Sequence, residues 1–181
     1  MALFEYEVKV KVEELDRVRN RLKTLGANKV FSKKEVDVYF QHPCRNFKIT
    51  DEALRLRLEE GEAILTYKGP KISSEIKARE EINLRIEKEN VEKLISMLQK
   101  LGFYKVAEVR KIREVYRLDE YEISLDHVED LGDFVDIELE TVNESLESAI
   151  KKLKNCLNKL DIKSTPILKS YLELLLEKQK Q

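Results

Sequence analysis

Phe4-Glu5-Tyr6-Glu7-Val8-Lys9-Val10-Lys11-Val12 decides the fold. Its even positions are apolar, and its odd positions, Glu5, Glu7, Lys9 and Lys11, are charged. A period of two is that of an extended strand with one apolar and one charged face. Antiparallel sheets commonly turn their polar face to water, so a solvated surface is the plain reading. The other reading is a strand whose apolar face carries helices and whose charged face lines a closed sheet.

The alternation recurs down the chain. From Ala53 to Glu59, Leu54, Leu56 and Leu58 oppose Arg55, Arg57 and Glu59. A turn at Gly61 leads into Glu62 to Lys68, which stops at Gly69-Pro70. From Ser74 to Arg85 one face carries Glu75, Lys77, Arg79, Glu81, Asn83 and Arg85. Tyr104 to Leu118, Tyr121 to Val128 and Phe134 to Thr141 follow, the last setting Val135, Ile137 and Leu139 against Asp136, Glu138 and Glu140. Another strand is predicted from Lys29 to Phe40. Gln41 to Asp51, with Pro43 and Asn46, reads as a loop.

Four amphipathic stretches punctuate the strands. Leu15, Val18, Leu22 and Leu25 form one stripe, ended by Gly26. Val91, Leu94, Ile95, Leu98 and Leu101 form the next, after Asn90 as cap. Leu146, Ala149, Ile150, Leu153, Leu157 and Leu160 form the third. A fourth helix is predicted from Thr165-Pro166, with Thr as cap, carrying Leu168, Tyr171, Leu172 and Leu175. A faint repeat, strand-helix-Leu-Gly-strand, suggests two related halves that close one sheet. One domain over residues 1–177 and a frayed tail at 178–181 are expected.

The 181 residues are 42% apolar, which suits one globular domain with a substantial core. Net charge is −1, from 34 basic and 35 acidic residues, so nothing attracts nucleic acid or membrane globally. No apolar run approaches the roughly 18 residues of a membrane span. No secretory signal is read at the start. Cys44 and Cys156 have neither metal nor redox spacing, and a reduced, cytoplasmic setting is expected. His42 and His127 are isolated and read as surface residues. Charged residues make up 38%, mostly Lys and Glu, a composition hyperthermophiles favour.

If helices cover the outside of a barrel, the charges line its inside. The inward acids are then Glu5, Glu7, Glu59, Glu75, Glu81, Asp126, Asp136, Glu138 and Glu140. The inward bases are Lys9, Lys11, Arg55, Arg57, Lys68, Lys77, Arg79, Lys111 and Arg113. Burying ions costs several kcal/mol each unless they are paired, so such a tunnel must be wet and built for a polyanion with its cations. Same-parity pairs distinguish it from a merely solvated face, which would intersperse signs. Arg55/Arg57, Lys77/Arg79 and Lys111/Arg113 suit phosphate oxygens. Glu5/Glu7 and Asp136/Glu138 suit a hard divalent cation.

Glu5-x-Glu7-x-Lys9 resembles the Glu-x-Glu-x-Lys signature of the CYTH superfamily, the triphosphate tunnel enzymes. Asp37-Val38-Tyr39-Phe40, Leu54-Arg55-Leu56-Arg57, Leu65-Thr66-Tyr67-Lys68-Gly69-Pro70 and Lys77-Ala78-Arg79-Glu80-Glu81 follow in order. Then come Lys111-Ile112-Arg113-x-x-Tyr116, Leu125-Asp126-x-Val128, Leu131-Gly132-x-Phe134, Asp136-Ile137-Glu138 and Ser170-Tyr171-x-Glu173-Leu174-Leu175. These blocks are most similar to the class IV adenylyl cyclase branch. The resemblance implies an α+β fold, an eight-stranded antiparallel barrel with helices packed outside, binding triphosphate and Mg²⁺ or Mn²⁺. It implies metal ligation by Glu5, Glu7 and Glu138, with Asp136 and Asp126 beside them. It gives the triphosphate to Lys9, Arg55, Arg57, Lys68, Lys77, Arg79, Lys111 and Arg113. Glu81, Glu140 and Lys169 are further tunnel positions. It also suggests a homodimer.

Two reactions fit such a tunnel. In a cyclase, the ATP 3′-hydroxyl attacks the α-phosphorus and pyrophosphate leaves. In a triphosphatase, water attacks a terminal phosphate of tripolyphosphate, thiamine triphosphate or a nucleotide. A non-catalytic polyphosphate binder is the third reading. A lipid carrier would need an apolar interior. A nucleic-acid binder would need basic faces free of matching acids.

Overall fold

A computed structural model describes residues 4–71, 77–139 and 145–179, with backbone alone at Phe4, Glu5, Lys77 and Ala78. Eight strands form the sheet: β1 (Phe4–Lys11), β2 (Asn28–Gln41), β3 (Ala53–Leu58), β4 (Glu62–Lys68), β5 (Lys77–Glu87), β6 (Tyr104–Leu118), β7 (Tyr121–Val128) and β8 (Gly132–Leu139). Every pairing is antiparallel, and the order β1-β5-β4-β3-β2-β6-β7-β8 returns to β1, so the sheet is a closed barrel. Closure removes both sheet edges.

The apolar faces of the strands carry the helices, as their alternation requires. α1 (Leu15–Thr24) and α4 (Leu146–Lys159) bury Val18, Leu22, Ala149, Leu153 and Leu157 with Val8, Val10, Ile123, Val135 and Ile137. α3 (Val91–Lys100) lays Leu94 and Leu98 on Val38, Phe40 and Leu56. At roughly 25 cal/mol per Å² of apolar surface buried, these two outer clusters are the main hydrophobic contribution to stability.

The last helix departs from the expected pattern. α5 (Tyr171–Lys178) begins five residues beyond the Pro166 start that the sequence suggests. Ser170 is its N-cap, joined reciprocally to Glu173 in a capping box. The segment before it is irregular, and its Ile167 N–H donates to the Lys9 carbonyl of β1 at 2.7 Å. α5 does not pack outside the barrel. Tyr171 and Leu175 bury against Tyr39, Val109, Val128 and Phe134, which are inward-facing residues. The amphipathic stripe was readable, but a stripe does not say which side of a sheet it covers.

The Gln41–Asp51 connection is also more ordered than a loop. It contains the short helix α2 (Phe47–Thr50), whose Asn46 side chain accepts the Lys48 N–H. Asp51 ends it in the left-handed region at φ 54°, a conformation Asp tolerates better than most residues. Cys44 is exposed, Cys156 is buried, and both are free thiols. Among the described residues no helix is long and apolar enough to cross a membrane.

Candidate functional site

Strand register builds the site. β1, β8 and β7 lie side by side, with Glu7 opposite Glu138 and Glu138 opposite Glu122. One step along, Lys9 faces Asp136, and Asp136 faces Ser124. Period-two alternation turns all of these side chains inward. One carboxylate oxygen each from Glu7, Asp136 and Glu138 lies within 4.8 Å of the others. Three converging carboxylates in a polar lining fit a hard divalent cation.

Other sequence-derived ligands fare differently. The Glu5 side chain lies outside the described residues, although its backbone pairs with Arg79. Asp126 does not join the carboxylate group. Both its oxygens engage the Arg113 guanidinium, and the Tyr171 hydroxyl donates to one of them. Burial pushes the Asp126 carboxyl up, but Arg113 outweighs burial and holds it below its ordinary value. Asp126 therefore anchors Arg113 and α5, and it is not oriented as a metal ligand.

The phosphate-binding candidates separate into two sets. Arg55, Lys68, Arg79 and Lys9 line the cavity outside the Glu35 and Asp37 ion network. Arg55 donates to the Thr66 hydroxyl at 3.2 Å, while its Nε has no hydrogen-bond partner among the described residues. Lys68 contacts Glu81. Arg79 is buried, with Asp51 at 3.7 Å. The Lys9 ammonium sits 4.0 Å from the centre of the Tyr171 ring, a cation–π arrangement.

Arg57 and Arg113, which also line the cavity, and Lys111, which does not, belong to a buried ion network. Arg57 forks onto Asp37 at 2.7 and 3.1 Å. The Lys111 ammonium lies 2.6 Å from Asp37 and 2.9 Å from Glu35. Burial pushes the Glu35 carboxyl up, yet Arg57 and Lys111 outweigh it and hold its pKa at about 2. Asp37 is held well below the ordinary range against the same burial cost. Burial is the largest influence on Lys111 and draws its pKa down. Arg113 also reaches Asp136, at 3.5 Å, and so links this network to the carboxylate group.

Glu35 and Asp37 are absent from the inward acids read in the sequence, as is Glu122. Lys33-Lys34-Glu35-Val36-Asp37 carries charge at both parities, which hides its face. An extra residue at Val30 in β2 further shifts the alternation. Glu122 had a visible signal, since it shares the parity of Asp126 in Tyr121-Glu122-Ile123-Ser124-Leu125-Asp126. Lys169 lies outside the cavity lining; its side chain is 52% exposed and pairs with Glu177. Lys11, counted among the inward bases, is exposed. The Lys77 side chain and all of Glu75 and Glu140 lie outside the described residues. His127 is exposed beside Asp133, as expected, whereas His42 is half-buried against Phe47 and Phe103. The whole lining encloses about 940 Å³.

The CYTH domain family matches residues 3–171. The chain belongs to the CYTH family. A relative from Methanocaldococcus jannaschii named "Putative adenylate cyclase" is 42% identical over 175 residues, covering 95% of this chain and 98% of the relative. "Adenylate cyclase CyaB" of Aeromonas hydrophila is 27% identical over 146 residues, covering 79% and 72%. A solved protein of Pyrococcus horikoshii superposes with TM-score 0.87 at 40% identity, covering 96% and 99%. CYTH enzymes act on triphosphate substrates. In this CYTH chain, Lys9, Arg55, Lys68 and Arg79 share one cavity lining with the carboxylate group.

Proposed function

We propose that the protein is a metal-dependent enzyme that converts ATP to cyclic AMP and pyrophosphate. The observation that carries this reading is the juxtaposition of Glu7, Asp136 and Glu138 with Arg55, Lys68 and Arg79 in one cavity. A triphosphate near neutral pH carries about four negative charges, and catalysis of its reactions is largely positioning and charge stabilisation. The names of the two curated relatives support ATP as substrate.

Glu7, Asp136 and Glu138 would hold Mg²⁺ or Mn²⁺, with Glu5 on the same strand face as a further candidate. The bound ion would supply neutralisation of phosphate charge and Lewis acidity. Arg55, Arg79 and Lys68 would bind phosphate oxygens, Arg55 through the Nε that has no hydrogen-bond partner among the described residues. Lys68 would exchange Glu81 for phosphate. Lys9 would neutralise a further oxygen from its seat on Tyr171. In the reaction the O3′–Pα bond forms, the bond from Pα to the bridging oxygen breaks, and the 3′-hydroxyl proton leaves. Pyrophosphate departs with the bridging oxygen.

The experiment is product identification by mass spectrometry after incubation with ATP and Mg²⁺ or Mn²⁺. Cyclic AMP with pyrophosphate is expected. Orthophosphate from ATP or tripolyphosphate would replace the cyclase reading with a triphosphatase. Binding without any product would leave a polyphosphate binder.

A further inference from the structure

The register between β2 and β6 slips near one end of the tunnel. Tyr39 faces Ala107, but the next residue, Phe40, faces Lys105, so Val106 is an extra residue on β6. A bulge of this kind exchanges the two faces of the strand beyond it. On β6, Val109, Lys111 and Arg113 are inward; strict alternation would turn Tyr104 outward. The slip instead pairs Tyr104 with Gln41 and brings it into the cavity lining.

The rim formed there differs from the tunnel behind it. Tyr104 and Val106 line the cavity and still keep 55% and 41% of their surface in water. His42 joins the same lining, with its ring edge-on to Phe103 at 5.0 Å. Its Nδ1 accepts the Cys44 N–H at 3.0 Å, which leaves the ring proton on Nε2 as a donor. Gln41 donates to the Arg45 carbonyl at 2.5 Å and ties the loop to the strand that pairs with Tyr104. Gly102, at φ +89°, lets Pro43 approach; a Cβ there would meet the Pro43 ring at 3.1 Å. The loop is thus pressed onto the start of β6. The cavity of about 940 Å³ is at the upper end of the range for small-molecule pockets, roughly 300–1,000 Å³. A bare triphosphate would use little of this aromatic rim.

We propose that Tyr104, Val106 and His42 form a subsite for a flat heteroaromatic ring carried by the triphosphate. Tyr104 stacks on the ring face, Val106 packs its edge, and the His42 Nε2–H donates to a ring acceptor. The inference rests on the tunnel as a triphosphate site, and it assigns the substrate class to organic triphosphates over tripolyphosphate. A nucleobase and the rings of thiamine share this chemistry, so both are tested.

The test is calorimetric titration of the full chain with ATP, thiamine triphosphate and tripolyphosphate, on ice with Mg²⁺. Ligand integrity is checked afterwards by mass spectrometry. Base–aromatic stacking lost on alanine substitution is worth about tenfold or more in affinity. Tyr104→Ala should therefore weaken ATP or thiamine triphosphate about tenfold relative to tripolyphosphate, and Tyr104→Phe should restore the ratio. The arm that responds identifies the ring. If the wild type binds tripolyphosphate but neither Tyr104→Ala nor His42→Ala changes the ratio, the subsite is overturned alone. If the wild type binds none of the three ligands, the triphosphate reading falls and the subsite with it.

Discussion

The Arg113 guanidinium meets the Asp126 carboxylate edge to edge, Nε to Oδ1 at 2.7 Å and Nη2 to Oδ2 at 2.6 Å. The Tyr171 hydroxyl completes the arrangement with a 2.7 Å bond to Oδ2. This joins β6, β7 and α5 inside the barrel. Removing one partner of a buried pair leaves an uncompensated charge, at a cost of about 3–5 kcal/mol. Asp126→Ala should destabilise by that amount in denaturant unfolding. Tyr171→Phe removes only the hydroxyl and should cost about 1.5–3 kcal/mol.

The carboxylate group makes a separate prediction about cations. Glu138→Gln keeps the shape of the side chain and removes its charge. It should weaken Mn²⁺ binding at least tenfold, read by Mn²⁺ paramagnetic resonance in the absence of nucleotide. Asp126→Asn should not share this loss, because that carboxylate is already committed to Arg113 and Tyr171. Equal losses in the two variants would remove the distinction drawn between them.

Among the bases, Arg55 and Lys111 should behave differently. Arg55 faces the cavity with one nitrogen lacking a hydrogen-bond partner among the described residues. Arg55→Ala should weaken tripolyphosphate binding about tenfold, the loss of one charge-assisted hydrogen bond, with a smaller effect on unfolding. Lys111 is buried between Glu35 and Asp37. Lys111→Met should lower stability by about 3–5 kcal/mol, because two buried carboxylates lose a cation. Comparing binding and unfolding for both variants separates the two roles.

Acid sensitivity follows from the same network. The Glu35 pKa is lowered from 4.5 to about 2, so the folded protein holds fewer protons than the unfolded chain between those values. Its contribution to stability is fully present above the unfolded value and declines as pH falls through about 2. Glu114, on the outer face with Arg19 and Lys29, is also held at about 2, chiefly by its Arg19 hydrogen bond. Unfolding free energy should therefore fall on acidification from about pH 4.5 to 2, and Glu35→Gln should flatten that slope.

Regular alternation is what made the barrel legible. Wherever charged and apolar residues strictly alternate, as in β1, β3 and β8, face and neighbours follow from the sequence. Legibility ends where a strand gains a residue. Val30 and Val106 each exchange inside for outside partway along a strand, and no local residue pattern marks the change. Glu35 was hidden in a stretch with charges at both parities, and Tyr104 faces inward only because of the slip. Pairing was the other limit. The sequence showed Arg57, Lys111 and Arg113 as cations on one face, but their buried partners come from β2 and β7, an arrangement known only once the strands are assembled. The fate of α5 was likewise a tertiary matter, since its stripe meets inward-facing residues of β2, β6, β7 and β8.

β1 bonds to β5 on one side and to β8 on the other. β1 must therefore wait for strands made much later in the chain. Its β5 partners start at Lys77, and its β8 partners lie between Phe134 and Leu139. Pairings of such long sequence separation are entropically slow to form. During synthesis, a ribbon with two carboxylates followed by two ammonium groups on one face is held open until β8 has been made. Those charges, required later by the tunnel, also discourage it from joining the wrong sheet in the meantime.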